Sequence, residues 1–181
     1  IVQGLAHNDA VVELHVDSGK GVTASLVRAI GDVCRVNVQP LPLKELYVAD
    51  DLTGVPKVLD LSAREQPRGK LTQLSIDGLL MLREVLRRHY ETVILSGNVL
   101  GVDGVECLCE QIIEANVPIK TLRLTETELD DYCADRVTQA LAMNYHLRDV
   151  VVSGNRAVTV RAMNRLEATL LLSQLPAYLK D

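Results

Sequence analysis

The chain has 181 residues, a formal net charge of −5, 48% hydrophobic and 24% charged residues. That apolar share is too high for a disordered chain, the acidic balance argues against nucleic-acid phosphates as direct partners, and no run of about 18 apolar residues is present to form a membrane span. The aromatics are five Tyr, with no Phe or Trp, so the core must be aliphatic, which suits thin repeated layers.

The chain opens at Ile1 in an apolar stretch with no basic segment before it, which reads as a piece of a longer protein whose targeting information lies elsewhere. The four cysteines (Cys34, Cys107, Cys109 and Cys133) match neither a CxxC pair nor a zinc spacing with His. Free thiols, a reducing compartment and an intracellular protein are therefore expected.

In chain order, one apolar-x-x-apolar-x-apolar pattern recurs. It reads Val11, Leu14, Val16; Leu43, Leu46, Val48; Leu71, Leu74, Ile76; Tyr90, Val93, Leu95; Ile119, Leu122, Leu124; and Leu147, Val150, Val152. The central residues stand 32, 28, 19, 29 and 28 positions apart. Each match predicts a short strand whose central residue and the one two further on point inward.

Helical stretches are predicted between the strands. Val22 to Val33 carries Leu26, Ile30 and Val33 on one face. Asp51 to Lys70 is interrupted by Gly54, Pro56 and Pro67, so an irregular or extended segment is expected outside the sheet. A short helix follows at about Leu80 to Arg88. Asp103 to Ala115 is the clearest, with Asp103 and Glu106 spaced as a capping box and Val105, Leu108, Cys109 and Ile112 inward. Asp130 or Asp131 opens the next, with Cys133, Val137, Ala140 and Leu141 inward. Thr159 opens the last, with Met163, Leu166 and Leu170 inward. The leucine-rich end, 158–181, is expected to be a helical cap that Pro176 closes.

The segment Val93-Ile94-Leu95-Ser96-Gly97-Asn98-Val99-Leu100-Gly101-Val102-Asp103-Gly104-Val105, and the matching Val150-Val151-Val152-Ser153-Gly154-Asn155, resemble the long, roughly 28-residue repeats of the ribonuclease-inhibitor-like leucine-rich-repeat family. In that family the Asn bonds backbone groups as the chain turns. Here it stands at Asn98 and Asn155, while Gly19, Asp51, Leu79 and Thr127 occupy the equivalent places, so irregular turns are expected there, above all at Leu79. The resemblance implies an α/β solenoid over 1–181, about six repeats, with a parallel sheet on the concave face and helices on the convex face. A non-solenoid α/β domain with a parallel sheet is the alternative.

In such a fold the residues flanking each central position, and the one three places after it, face the hollow, with Ala49, Ser75, Ser96, Thr125 and Ser153 among them. Those expected to contact a partner are Glu13, His15 and Asp17; Glu45 and Tyr47; Gln73 and Asp77; Thr92 and Ile94; Thr121 and Arg123; Asp149 and Val151. The N-terminal half is acidic, through Glu13, Asp17, Glu45 and Asp77, which favours another protein with a basic surface as partner. Tyr47 offers area and a hydroxyl at low entropy cost.

No catalytic constellation emerges. Ser18-Gly19-Lys20-Gly21 lacks the first Gly and the Ser or Thr of a phosphate loop. His15 beside Asp17 has no nucleophile. The acids Glu126, Glu128, Asp130 and Asp131 read as helix capping rather than a metal site. The expectation is a non-catalytic interaction scaffold or complex subunit with no cofactor, metal or small-molecule substrate. The alternative is a recognition segment of a larger signalling protein or enzyme.

Overall fold

A computed structural model describes residues 11, 14, 22–37, 39, 43, 57–65, 71–72, 74–86 and 90–175. The described elements run α1 (Ala24–Asn37), β1 (Val58–Asp60), β2 (Arg64–Glu65), β3 (Leu71–Thr72), α2 (Ile76–Leu86), β4 (Thr92–Ile94), α3 (Gly101–Leu108), β5 (Thr121–Arg123), α4 (Asp131–Leu141), β6 (Asp149–Val151) and α5 (Val160–Ser173). A π-helical turn, Cys109–Ile113, extends α3. It keeps Cys109, Ile112 and Ile113 all inside, each fully buried.

Strands β1, β4, β5 and β6 form one parallel sheet in that order. The register aligns Leu59, Val93, Leu122 and Val150 in one row. These side chains turn into the core, because strand neighbours alternate between faces. Behind them Leu61, Leu95, Leu124 and Val152 form a second buried row, and Tyr90, Ile119 and Leu147 a third. Helices α2 to α5 contribute Leu82, Leu86, Val105, Leu108, Val137, Leu141 and Leu166 to the same core. Strand followed by helix, with parallel pairing between consecutive sheet strands, is the arrangement that the 28- and 29-residue spacings predicted.

The fourth row member is not the expected one. Leu74 belongs to no strand; Leu59 takes the place in the sheet. The segment expected to lie irregularly outside the sheet therefore supplies a strand, and Leu59 to Val93 is one unit of 34 residues, not the tail of a 28-residue unit followed by one of 19. The extra length is accommodated by a small antiparallel hairpin in which Arg64 pairs with Thr72 and Glu65 with Leu71. Leu74 then re-enters the core at 5% exposure, and its N–H donates to Asn98 Oδ1 at 2.7 Å. Leu129 makes the corresponding bond to Asn155 Oδ1 in the last turn. Leu74 thus closes the loop before a helix. That helix, α2, begins at Ile76 rather than near Leu80 and contains Leu79, where a turn was expected.

Two further expectations shift. Leu14 is 41% exposed and so is not an inward residue. Asp103 does not cap α3: the N-cap position is Leu100, without a side-chain hydrogen bond. Asp130 and Thr159 do cap α4 and α5, accepting from Cys133 N and Ala162 N. Of the first two predicted strands only Val11, Leu14 and Leu43 are described; Leu43 is buried as expected but lies in helical backbone, not in a strand.

The turns after the sheet strands are fixed by buried side-chain amides. Asn98 Nδ2 donates to Leu61 O and Leu95 O, both at 2.8 Å. Asn155 Nδ2 donates to Leu124 O and Val152 O, also at 2.8 Å. Each Asn therefore ties its own strand to the preceding one. Thr127 has a single side-chain donor: it bonds Leu124 O in its own unit at 2.9 Å and reaches Asn155 Oδ1 in the next only at 3.4 Å, with no bond back to the preceding strand. At the other end of the strands Asn144 repeats the device, donating to Ile113 O and accepting from His146 N and Leu147 N.

Candidate functional site

Because each sheet strand alternates, the register that buries Leu59, Val93, Leu122 and Val150 turns two other rows to the opposite face. One is Val58, Thr92, Thr121 and Asp149; the other is Asp60, Ile94, Arg123 and Val151. Backbone pairing continues beyond the strands, with Ala63 N donating to Ser96 O, Gly97 N to Thr125 O and Glu126 N to Ser153 O. This adds a third row of hydroxyls: Ser62, Ser96, Thr125 and Ser153. Thr125 Oγ1 and Ser153 Oγ lie 3.4 Å apart.

Six of the thirteen residues expected to face a partner are brought together here: Thr92, Ile94, Thr121, Arg123, Asp149 and Val151. Asp77 is not among them. It stands in the first turn of α2, exposed, because Leu74 is a loop residue and not the centre of a strand. Glu13, His15, Asp17, Glu45, Tyr47 and Gln73 lie outside the described residues. Val58 and Asp60 belong to the face although they fall within the stretch predicted to be irregular. The only signal for them was Leu59-x-Leu61 after Pro56, which lacks the usual aliphatic residue three places earlier.

The face is apolar and hydroxylic with few charges. Val58 is half exposed, and Thr92, Ile94, Thr121 and Val151 are half-buried. Asp60 Oδ1 accepts from Ser62 N at 3.0 Å and from Ser62 Oγ at 2.6 Å. Arg123 is the one cation in these rows; it is exposed and has no ion pair among the described residues.

Two edges frame the face. Before the strands, Glu91 accepts from Lys57 and from Lys120, the latter at 2.7 Å. Those two ammonium groups hold its carboxyl down at about 2. After the strands, Glu126 and Glu128 both adopt left-handed backbone, φ 56° and 58°. Gly97 and Gly154, the register equivalents of Glu126, have φ 74° and 76°. Glu126, Glu128, Leu129, Arg156 and Ala157 line an open cleft of about 420 Å³. In the acidic run only Asp130 caps a helix directly; Asp131 accepts from Thr159 N and Oγ1 instead.

The helix layer is stitched together one unit at a time. Arg83 donates to Gln111, and Arg136 pairs with Glu106 and Glu114, both at 2.6 Å. Arg165 pairs with Asp135. The thiols are free, and burial pushes Cys109 up to about 12. Among the described residues, no group of three or more His, Cys, Asp or Glu is placed to hold a metal ion. No helix there is long and apolar enough to cross a membrane.

No family model matches the chain. The chain is similar to the ribonuclease inhibitor of Sus scrofa, at 24% identity over 164 residues, which cover 85% of this chain and 35% of that protein. It therefore spans about a third of the length of that curated relative. The similarity is leucine-rich-repeat-like and runs in the same direction as the resemblance carried by the two Ser-Gly-Asn turns.

Proposed function

We propose that this chain is a non-catalytic protein-binding module, a leucine-rich-repeat solenoid that engages another protein through the sheet face turned away from its helices. The observation that carries the reading is the register of β1, β4, β5 and β6. It gathers Val58, Ile94 and Val151 among Thr92, Thr121 and the Ser/Thr row. A face of this composition supplies apolar area for burial together with hydroxyls for directed hydrogen bonds. Wider helices behind narrower strands would curve the stack and make this face the hollow side. The relative is named for inhibiting a ribonuclease, a role exerted on another protein, which supports the same class of activity here. Scaffold or complex subunit is the form of that activity we favour.

The test compares charged substitutions on the two layers. Tagged protein carrying Thr92→Arg or Val151→Arg, and a control carrying Gln139→Arg on the exposed side of α4, is purified from the cells that make it. Co-purifying proteins are then quantified. The face variants should lose a specific partner by roughly tenfold or more, with the control unchanged. Loss confined to Gln139→Arg would move the interaction to the helix layer.

A further inference from the structure

We infer that the bound partner places an aspartate or glutamate carboxylate on Arg123; this rests on the reading that the sheet face binds protein. The register sets Arg123 between Ile94 on β4 and Val151 on β6. Along its own strand the same-face neighbours are Thr121 and Thr125. All four are half-buried and uncharged. The guanidinium therefore rises from a collar of aliphatic and hydroxyl groups.

The carboxylates of this face do not neutralise it. Asp60 lies two strands away, with one oxygen accepting from Ser62 N and Oγ. Asp149 is on the neighbouring strand, but its register partner is Thr121, and no ion pair with Arg123 forms. A partner that covers Ile94 and Val151 must also cover Arg123. Burying that cation without a counter-charge would oppose binding strongly, since an unpaired charge loses its hydration with nothing in return. A carboxylate solves the problem: two parallel N–H bonds from the planar guanidinium match its two oxygens. The Thr121 and Thr125 hydroxyls stand on either side to serve its remaining lone pairs. A single cation with no second Lys or Arg in these rows matches one negative charge, which favours a carboxylate over a doubly charged phosphate.

The probe is a displayed library of random peptides, panned on the full chain in its wild-type, Arg123→Gln, Arg123→Glu and Ile94→Lys forms. Circular dichroism melts confirm that each form is folded. Peptides enriched on wild type should share an Asp or Glu and bind Arg123→Gln at least about tenfold more weakly. Panning on Arg123→Glu should enrich Lys or Arg instead. Peptides that lose binding to Ile94→Lys but bind Arg123→Gln as well as wild type would overturn the Arg123 inference and leave the face reading standing. Peptides indifferent to both changes, or no enrichment over a blank surface, would count against the inference and the face reading alike.

Discussion

Replacing Asn155 with Ala removes the connection between the last two turns, and its cost can be worked from the contacts. The side chain donates to Leu124 O and Val152 O and accepts from Thr127 N at 2.9 Å and Leu129 N at 3.0 Å. Thr127 and Leu129 are at most 1% exposed, so their N–H groups lose a partner where water is scarce. A stranded buried donor costs about 1–3 kcal/mol. Leu124 O keeps its bond from Thr127 Oγ1, which limits the loss on the acceptor side. The sum is about 3–5 kcal/mol, or a fall in Tm of roughly 8–16 °C for a domain of this size. Thr127→Ala is the internal control. It removes one donor from a carbonyl that Asn155 still serves, with a long 3.4 Å contact to Asn155 Oδ1, and should cost only about 1 kcal/mol. Thermal and urea melts of the two variants decide the matter. An Asn155→Ala loss no larger than that of Thr127→Ala would refute the idea that the buried amide ties the strands together.

Four other outcomes follow from the structure. Glu126→Gly should raise stability by about 0.5–1 kcal/mol in urea melts, because a left-handed L-residue is replaced by the residue its register neighbours use. Gly154→Ala should destabilise, since a Cβ there would meet Glu126 Cγ at 2.7 Å on a backbone with φ 76°, and part of that loss should be recovered when combined with Glu126→Gly. Glu91, held at about 2 by Lys120 and Lys57, has a folded pKa below its unfolded one. Its contribution is therefore present above the ordinary carboxylate range and is lost as pH falls from about 4.5 toward 2. The stability gap between wild type and Glu91→Gln should close over that window and should narrow in high salt. Cys109, buried and pushed up to about 12, should resist maleimide at pH 8 in the native state and react on unfolding; native labelling at the rate of a free thiol would contradict its burial.

How much of this was legible in the sequence depended on whether the signal was local. The units centred on Val93, Leu122 and Val150 were readable because all three pattern positions in each are aliphatic or Tyr and all are buried. The Asp130 and Thr159 caps were readable for the same reason, since a cap acts within three residues. Leu59 was missed because Pro56 fills the place that Tyr90, Ile119 and Leu147 fill elsewhere. Leu71-x-x-Leu74-x-Ile76 offered a fuller match nearby. Apolarity alone cannot separate the two, because Leu74 is buried as a loop-closing residue just as it would be in a strand. That misplacement carried Asp77 onto the face and left out Val58 and Asp60.

The capping box failed for a different reason. Glu106 is drawn to Arg136, 30 residues away, and that pairing exists only once α3 and α4 lie side by side. Left-handed Glu126 likewise gives no local sign, since the neighbouring turns carry Gly at the same place. The exposed Arg123 was visible as a face residue, but the uncharged collar around it emerges only from the register of three strands.

Photo-crosslinking in the cells that make the protein tests the binding face most directly. A photoreactive residue replaces Ile94 or Thr121 on the sheet face, or Gln139 on the helix layer. Defined adducts with one protein from the first two positions and none from Gln139 are predicted. Adducts from Gln139 alone, with none from the sheet, would contradict the account.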